Sequence, residues 1–242
     1  PLLKSIRKAV QRGGRTDDGF AVAEGFHLLD EAIDAKVSIG AVIATPQAAE
    51  RLGLRADLHV VEDGVFHQIS SVENSQGVIS LVRFDEEPLA MCLAGCALVI
   101  AMDGIQDPGN AGAIVRSAEA FGATGVVFLK GTVSPWNPKA LRASAGSLFR
   151  LPFAIADWET FLTAIEEREI ALYSAGAGAE RRVDEVPLQE ATAILIGNEG
   201  RGVPEEHERH ATAVRIPTRR VESLNAALAA GILLYEARRQ RA

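Results

Sequence analysis

From residue 98 to the end of this 242-residue chain, short apolar runs alternate with stretches of helical periodicity, and that alternation leaves few folds open. Apolar residues dominate 98–101, 125–129, 170–174, 193–196 and 214–216. A strand that is apolar on both faces must be covered on both faces, which is the condition of a parallel sheet flanked by helices. Segments 110–121, 138–149, 158–168 and 224–239 have helical spacing and predict the covering layers. Glycine is plentiful at 22 residues and aromatics make up only 5%, which suits close helix–strand packing. The expected class is α/β with a C-terminal parallel-sheet domain.

The N-terminal third is organised differently. Residues 1–15 read as a basic helix with Leu3, Ile6 and Val10 on one face, broken by Gly13-Gly14. Strands are expected at 20–24, 39–44, 58–61 and 78–84, with helices over 25–35 and 65–69. The charged run Asp85-Glu-Glu-Pro88 is a break. The expected division is a small α/β domain over 1–84, a linker over 85–96 and a second domain over 97–242.

The formal net charge of −7 weighs against a nucleic-acid binder, but its distribution softens that objection. Residues 1–15 hold Lys4, Arg7, Lys8, Arg12 and Arg15 and no acid, and residues 215–242 hold six arginines against Glu222 and Glu236. Phosphate contacts need only a local basic face. The apolar run 89–102 is shorter than the ~20 residues of a membrane span. The basic N-terminus has no apolar segment behind it, so no signal peptide and no membrane partner are expected, and the location is cytoplasmic. Cys92 and Cys96 lack nearby metal-ligating partners and read as buried thiols. His207 and His210 read as solvated, and no metal is expected.

Three short stretches carry the chemistry. Asp107-Pro108-Gly109 is turn chemistry at a strand end, Asn110 falls where a helix cap belongs, and Arg116 lies off the apolar stripe of Ile114, Ala118 and Phe121. At the carboxyl edge of a parallel sheet, Asn110 and Arg116 stand where open α/β folds bind ligands. Next, Gly197-Asn198-Glu199-Gly200 with Gly202 follows an apolar strand, a pattern for close backbone approach to a ligand or a strained loop. Neither a dinucleotide fingerprint nor a phosphate-loop lysine is present, which disfavours Rossmann cofactors and ATP. Last comes Ile216-Pro217, then Glu222-Ser223-Leu224-Asn225, where Ser223 is placed to cap the final helix.

In order and spacing these stretches resemble the three motifs of the SpoU (TrmH-type) RNA ribose 2′-O-methyltransferases of the SPOUT superfamily. The resemblance implies a deep trefoil knot in the second domain, a homodimer, and S-adenosylmethionine as methyl donor. It implies a catalytic set of Asn110, Arg116, Glu199, Ser223 and Asn225. It implies donor contacts from Gly197, Asn198, Gly200, Ile216, Pro217 and Leu224. Arg220 stands where the family commonly has glycine, which puts that loop's path in question and offers a phosphate contact. More loosely, Ala23-Glu24-Gly25 and Gln76-Gly77-Val78 resemble a ribosomal-protein-like RNA-binding domain found in front of SpoU catalytic domains. That extra domain favours structured ribosomal RNA over tRNA as substrate, with DNA excluded because it lacks the 2′-hydroxyl. The competing reading is a non-catalytic RNA-binding or ribosome-assembly protein on the same fold.

Overall fold

The computed structural model describes residues 1–53, 56–221 and 223–242, so Glu222 of the third motif lies outside the described residues. In chain order its elements are α1 (Leu2–Arg12), β1 (Ala21–Glu24), α2 (Phe26–Asp34), β2 (Ser38–Ala44), α3 (Pro46–Leu52), β3 (Leu58–Val60), α4 (Asp63–His67) and β4 (Val78–Arg83). There follow α5 (Leu89–Cys92), β5 (Leu98–Asp103), α6 (Pro108–Ala120), β6 (Gly125–Leu129), α7 (Pro138–Ser144), β7 (Phe153–Ala156), α8 (Trp158–Glu166) and β8 (Ala171–Ala175). The chain ends with β9 (Arg181–Arg182), β10 (Thr192–Gly197), α9 (Glu205–Glu208), β11 (Thr212–Arg215) and α10 (Ala226–Gln240).

These elements form two compact units: Pro1–Asp85 with Ser134–Arg150, and Glu86–Val133 with Leu151–Ala242. The segment 134–150, placed by its sequence in the second domain, therefore clusters with the first. The stretch 85–96 holds α5 rather than being a bare linker.

In the first unit a four-stranded sheet runs β1-β4-β2-β3, antiparallel except for the parallel β2–β3 pair. Ile6 and Ala9 of α1 are buried against it with Val22, Ile43, Phe66 and Ile79. Glu24 is a buried carboxylate at the end of β1. It accepts hydrogen bonds from Ser70 Oγ, Ser71 N, Ser71 Oγ and Ser75 Oγ at 2.6–2.7 Å. Four donors offset the desolvation of that charge and fix the loop ahead of β4. The returning segment is held within this unit: the Trp136 indole N–H donates to the Phe84 carbonyl at 3.0 Å, and Arg142 donates to Ser71 Oγ at 3.1 Å.

The second unit contains the parallel sheet expected from the apolar runs, with strand order β7-β6-β5-β10-β8-β11-β9 and every pairing parallel. All residues of β5 and β6 are buried, as double-sided coverage requires. Edge strand β7, after Pro152, and the two-residue β9 were not expected from the sequence. Cys92 is buried, with its Cα and Sγ less than 3 Å from where a Cβ on Gly125 would stand, so the thiol fills the space the glycine leaves. Burial pushes its pKa up to about 11. Cys96 is exposed, contrary to the expectation of two buried thiols. Among the described residues, no helix is long and apolar enough to cross a membrane.

Candidate active site

Since β5, β10, β8 and β11 are parallel and adjacent, their carboxyl ends gather the loops that follow them at one edge of the sheet. From β5 the chain steps outward through β6 to β7 and then crosses to β8 on the far side of β10. A reversal of that kind opens the crevice where open α/β sheets bind ligands.

Helix α6 begins differently from the sequence expectation. Asp107 is its cap, accepting from Asn110 N at 2.8 Å, with Pro108 at the first helical position. Asn110 sits one turn in, with its side chain free of capping. Its Nδ2 donates to Glu199 Oε1 at 2.8 Å, and its Oδ1 accepts from Asn225 Nδ2 at 3.0 Å. A carboxylate can only accept, so these partners fix the orientation of the Asn110 amide. Asn225, not Ser223, caps α10, its Oδ1 accepting from Ala227 N and Leu228 N at 3.0 and 3.2 Å. One hydrogen-bonded relay, Glu199–Asn110–Asn225, thus joins a residue from each of the three sequence stretches.

The glycine-rich loop closes on itself. Asn198 and Gly202 exchange backbone hydrogen bonds of 3.0 and 2.8 Å, with Gly202 at φ 71°. A Cβ on Gly197 would collide with Val203 N and the Gly202 carbonyl carbon. The close backbone approach implied by the glycines is therefore first an approach of the loop to its own strand. Asn198 ties the loop down: Nδ2 donates to the Gly104 carbonyl at 2.9 Å, while Oδ1 accepts from Gly200 N and Arg201 N at 3.0 and 3.2 Å.

Beside this loop lies a cleft of about 320 Å³, whose walls include Gly197, Asn198, Glu199, Gly200, Ser223 and Leu224. An adjoining groove of about 90 Å³ brings in Ile216 and Val214 and shares Ser223, Leu224 and Gly176. Four predicted site residues line neither space: Asn110 and Asn225, which reach the cleft only through their bonds to Glu199 and to each other, and Arg116 and Pro217, which are exposed. Arg116 is exposed because the buried face of α6 is set by Ala111, Ile114, Val115 and Ala118. Sequence reasoning missed Ala175, Gly176, Ala177 and Glu208, which also line the cleft. Small residues just past an apolar strand at the carboxyl edge were the available signal for the first three.

His207 is not solvated. Its Nδ1 lies 2.6 Å from Asp103 Oδ2, and its ring stacks on Trp158 with centroids 4.0 Å apart and planes 15° apart. His210 stays exposed and meets the edge of Trp158. Among the described residues, no cluster of His, Cys, Asp and Glu is arranged to hold a metal ion.

The SpoU rRNA Methylase family profile matches residues 97–235, and an MRM3-like substrate binding domain profile matches residues 1–80. An uncharacterized tRNA/rRNA methyltransferase of Synechocystis sp. is 32% identical, covering 100% of this chain and 92% of that protein. The 23S rRNA (guanosine(2553)-2′-O)-methyltransferase RlmP of Bacillus subtilis is 28% identical, covering 98% of this chain and 95% of its own length. The SpoU methyltransferase AviRb from Streptomyces viridochromogenes, solved in complex with AdoMet, superposes with a TM-score of 0.89 at 25% identity, covering 99% of this chain and 97% of AviRb.

Proposed function

The chain belongs to the SpoU rRNA Methylase family, and from that premise we propose that it methylates a ribose 2′-hydroxyl in ribosomal RNA, using S-adenosylmethionine as donor. The observation that carries this reading is the Glu199–Asn110–Asn225 relay, whose Glu199 lines the cleft beside the glycine loop. The residues present fit the donor. The cleft and its groove offer apolar surface from Ile216, Leu224 and Ala229 for an adenine, and a loop of glycine backbone for polar contacts. When bound, S-adenosylmethionine supplies a methyl group on a positively charged sulfur, open to in-line displacement by a ribose oxygen.

The chain's own residues then align and stabilise. Gly197, Asn198, Gly200, Ile216 and Leu224 hold the donor, with Pro217 turning the chain beyond Ile216. Asn110, Glu199, Ser223 and Asn225 position the nucleotide, and such alignment supplies much of the barrier reduction. Arg116 stands about 9 Å further along α6 from Asn110 by helical rise. There its guanidinium grips an RNA phosphate and lowers the cost of negative charge developing on the ribose oxygen. Arg116→Lys keeps the charge but loses the planar fork, so its turnover should fall sharply.

The first unit, residues 1–84 in its main part together with 134–150, is the RNA-binding domain, and residues 97–242 apart from that segment are the knotted methyltransferase domain. The knot is carried over from the family; at the chain end, Arg241 Nε donates to the Leu188 carbonyl at 2.8 Å, and its Nη atoms donate to the Cys96 and Ala97 carbonyls at 3.0 and 2.9 Å. The working form is a cytoplasmic homodimer, supported by the exposed apolar side chains of Leu228 and Tyr235, seven residues apart on α10. Leu228→Glu with Tyr235→Glu should convert a dimer to a monomer by light scattering. DNA and membranes are not partners.

Calorimetric titration with S-adenosylmethionine, followed by radiolabelled methyl transfer to total RNA, tests the function. Transfer to ribosomal RNA is expected, and it should be lost in Asn110→Ala. Donor binding without transfer to any RNA would replace this reading with the non-catalytic one.

A further inference from the structure

The donor loop is anchored at both ends to two consecutive residues at the tip of β5. At its start, Asn198 donates to the Gly104 carbonyl at 2.9 Å. Beyond its far end, in α9, His207 Nδ1 meets Asp103 Oδ2 at 2.6 Å. Asp103 is the last residue of β5, only 5% exposed, and lies in register with Gly197, where the loop departs. Among the described residues its carboxylate has one hydrogen-bond partner, His207. A buried carboxylate accepts and does not donate, so Nδ1 carries the proton. Trp158 covers the imidazole and holds its plane, leaving the histidine side chain 14% exposed. The residue after this anchor, Glu208, forms part of the cleft wall opposite Gly176, its Oε1 3.4 Å from where a Cβ on that glycine would stand. A shift of α9 therefore moves the cleft wall directly.

We propose that His207 is a positioning residue for the methyl donor: its bond to Asp103 pins α9 to the tip of β5 and holds the 198–203 loop and Glu208 in their donor-binding places. It rests on the reading that this cleft holds S-adenosylmethionine. His207 touches neither donor nor ribose, so its effect falls on donor affinity and not on the chemical step.

The test compares the full-length chain with His207→Ala and His207→Asn, measuring donor affinity by calorimetry, methyl-transfer kinetics and the melting temperature without donor. A hydrogen bond to a charged group is at stake, so His207→Ala should weaken donor binding on the order of tenfold. The Michaelis constant for the donor should rise in step, with turnover at saturating donor near that of the unaltered protein. Asparagine places an amide nitrogen near the position of Nδ1, so His207→Asn should recover most of the affinity. Unchanged donor affinity in His207→Ala overturns the proposal. So does an equal loss in both variants that tracks a falling melting temperature, because that pattern marks a purely structural contact. A chain with unaltered sequence that fails to bind the donor overturns the underlying assignment of the cleft, and this inference with it.

Discussion

Gly197 shows how one residue's chemistry sets the geometry of the cleft. The loop 198–202 folds back so tightly that the strand end beneath it has no room for a methyl group. Gly197→Ala must push Val203 and Gly202 away, opening the backbone pair between Asn198 and Gly202 and displacing Glu199 from Asn110. Donor affinity should drop at least tenfold, on the order expected for losing a hydrogen bond to a charged group plus local strain. The far-UV circular dichroism should not change. A variant that binds the donor normally would show that the loop tolerates the shift. The glycines were legible in the sequence as a sign of close approach, but what they approach was not, because loop closure depends on backbone pairing that no residue type encodes. The caps show the same limit. Asp107 and Asn225 do the capping, while the sequence pointed to Asn110 and Ser223, each within three residues of the true cap. His207 was misread because its partner, Asp103, is distant in sequence and belongs to a strand that reads as wholly apolar apart from its last residue.

Element boundaries followed the sequence where burial was double-sided and failed where elements were short. The parallel strands β5, β6, β8 and β10 were legible because each is an apolar run, whereas β11, expected at 214–216, spans Thr212–Arg215 with only Val214 buried. The expected helix over 138–149 instead breaks after α7, where Ala145 and Gly146 take φ of 48° and 88° before a tight turn. At the end of α10, Glu236 accepts from Arg239 Nε and Nη2 at 2.8 and 2.6 Å and from Gln240 Nε2 at 2.8 Å. The Arg239 bond holds the Glu236 carboxyl below the usual glutamate range. The folded-state pKa is depressed, so the stabilisation is fully present above the ordinary glutamate pKa of about 4.3 and is lost as pH falls through the depressed value. Hydrogen exchange at the amides of 236–241 should therefore show lost protection on acidification, beyond the intrinsic pH effect. Glu236→Gln should lack that acid-dependent component. If both proteins lose protection alike, the Glu236–Arg239 pair does not hold the helix end.

For the whole molecule, the informative surprise is that the first compact unit is discontinuous. Length, charge and the Asp85–Pro88 break all suggest that the chain up to residue 84 is self-contained, and nothing local in 134–150 says otherwise. Its physical role is to complete a core. All four residues of β1 are buried, so this strand needs cover on both faces, and α7 supplies part of it. Arg15 stacks over the Trp136 ring at 3.8 Å, Arg150 pairs with Glu31, and Asn137 packs at Gly13, whose φ of 63° ends α1. A unit of this size has little stability to spare, because small domains bury a smaller share of their surface. A fragment ending at residue 85 should therefore expose the β1 face. It should give poor dispersion in its amide NMR spectrum and melt without a cooperative transition. Fusing residues 134–150 behind residue 85 through a flexible glycine–serine linker should restore dispersion and cooperativity, since the segment then recovers its contacts without the intervening strands of the parallel sheet. Putting Ala in place of Trp136 within that fusion should undo much of the gain, because the indole bond to the Phe84 carbonyl and the Arg15 stack both go. If the fragment ending at 85 folds cooperatively without the segment, then 134–150 only rests on a finished domain, and the continuous boundary suggested by the sequence is the better description of this chain.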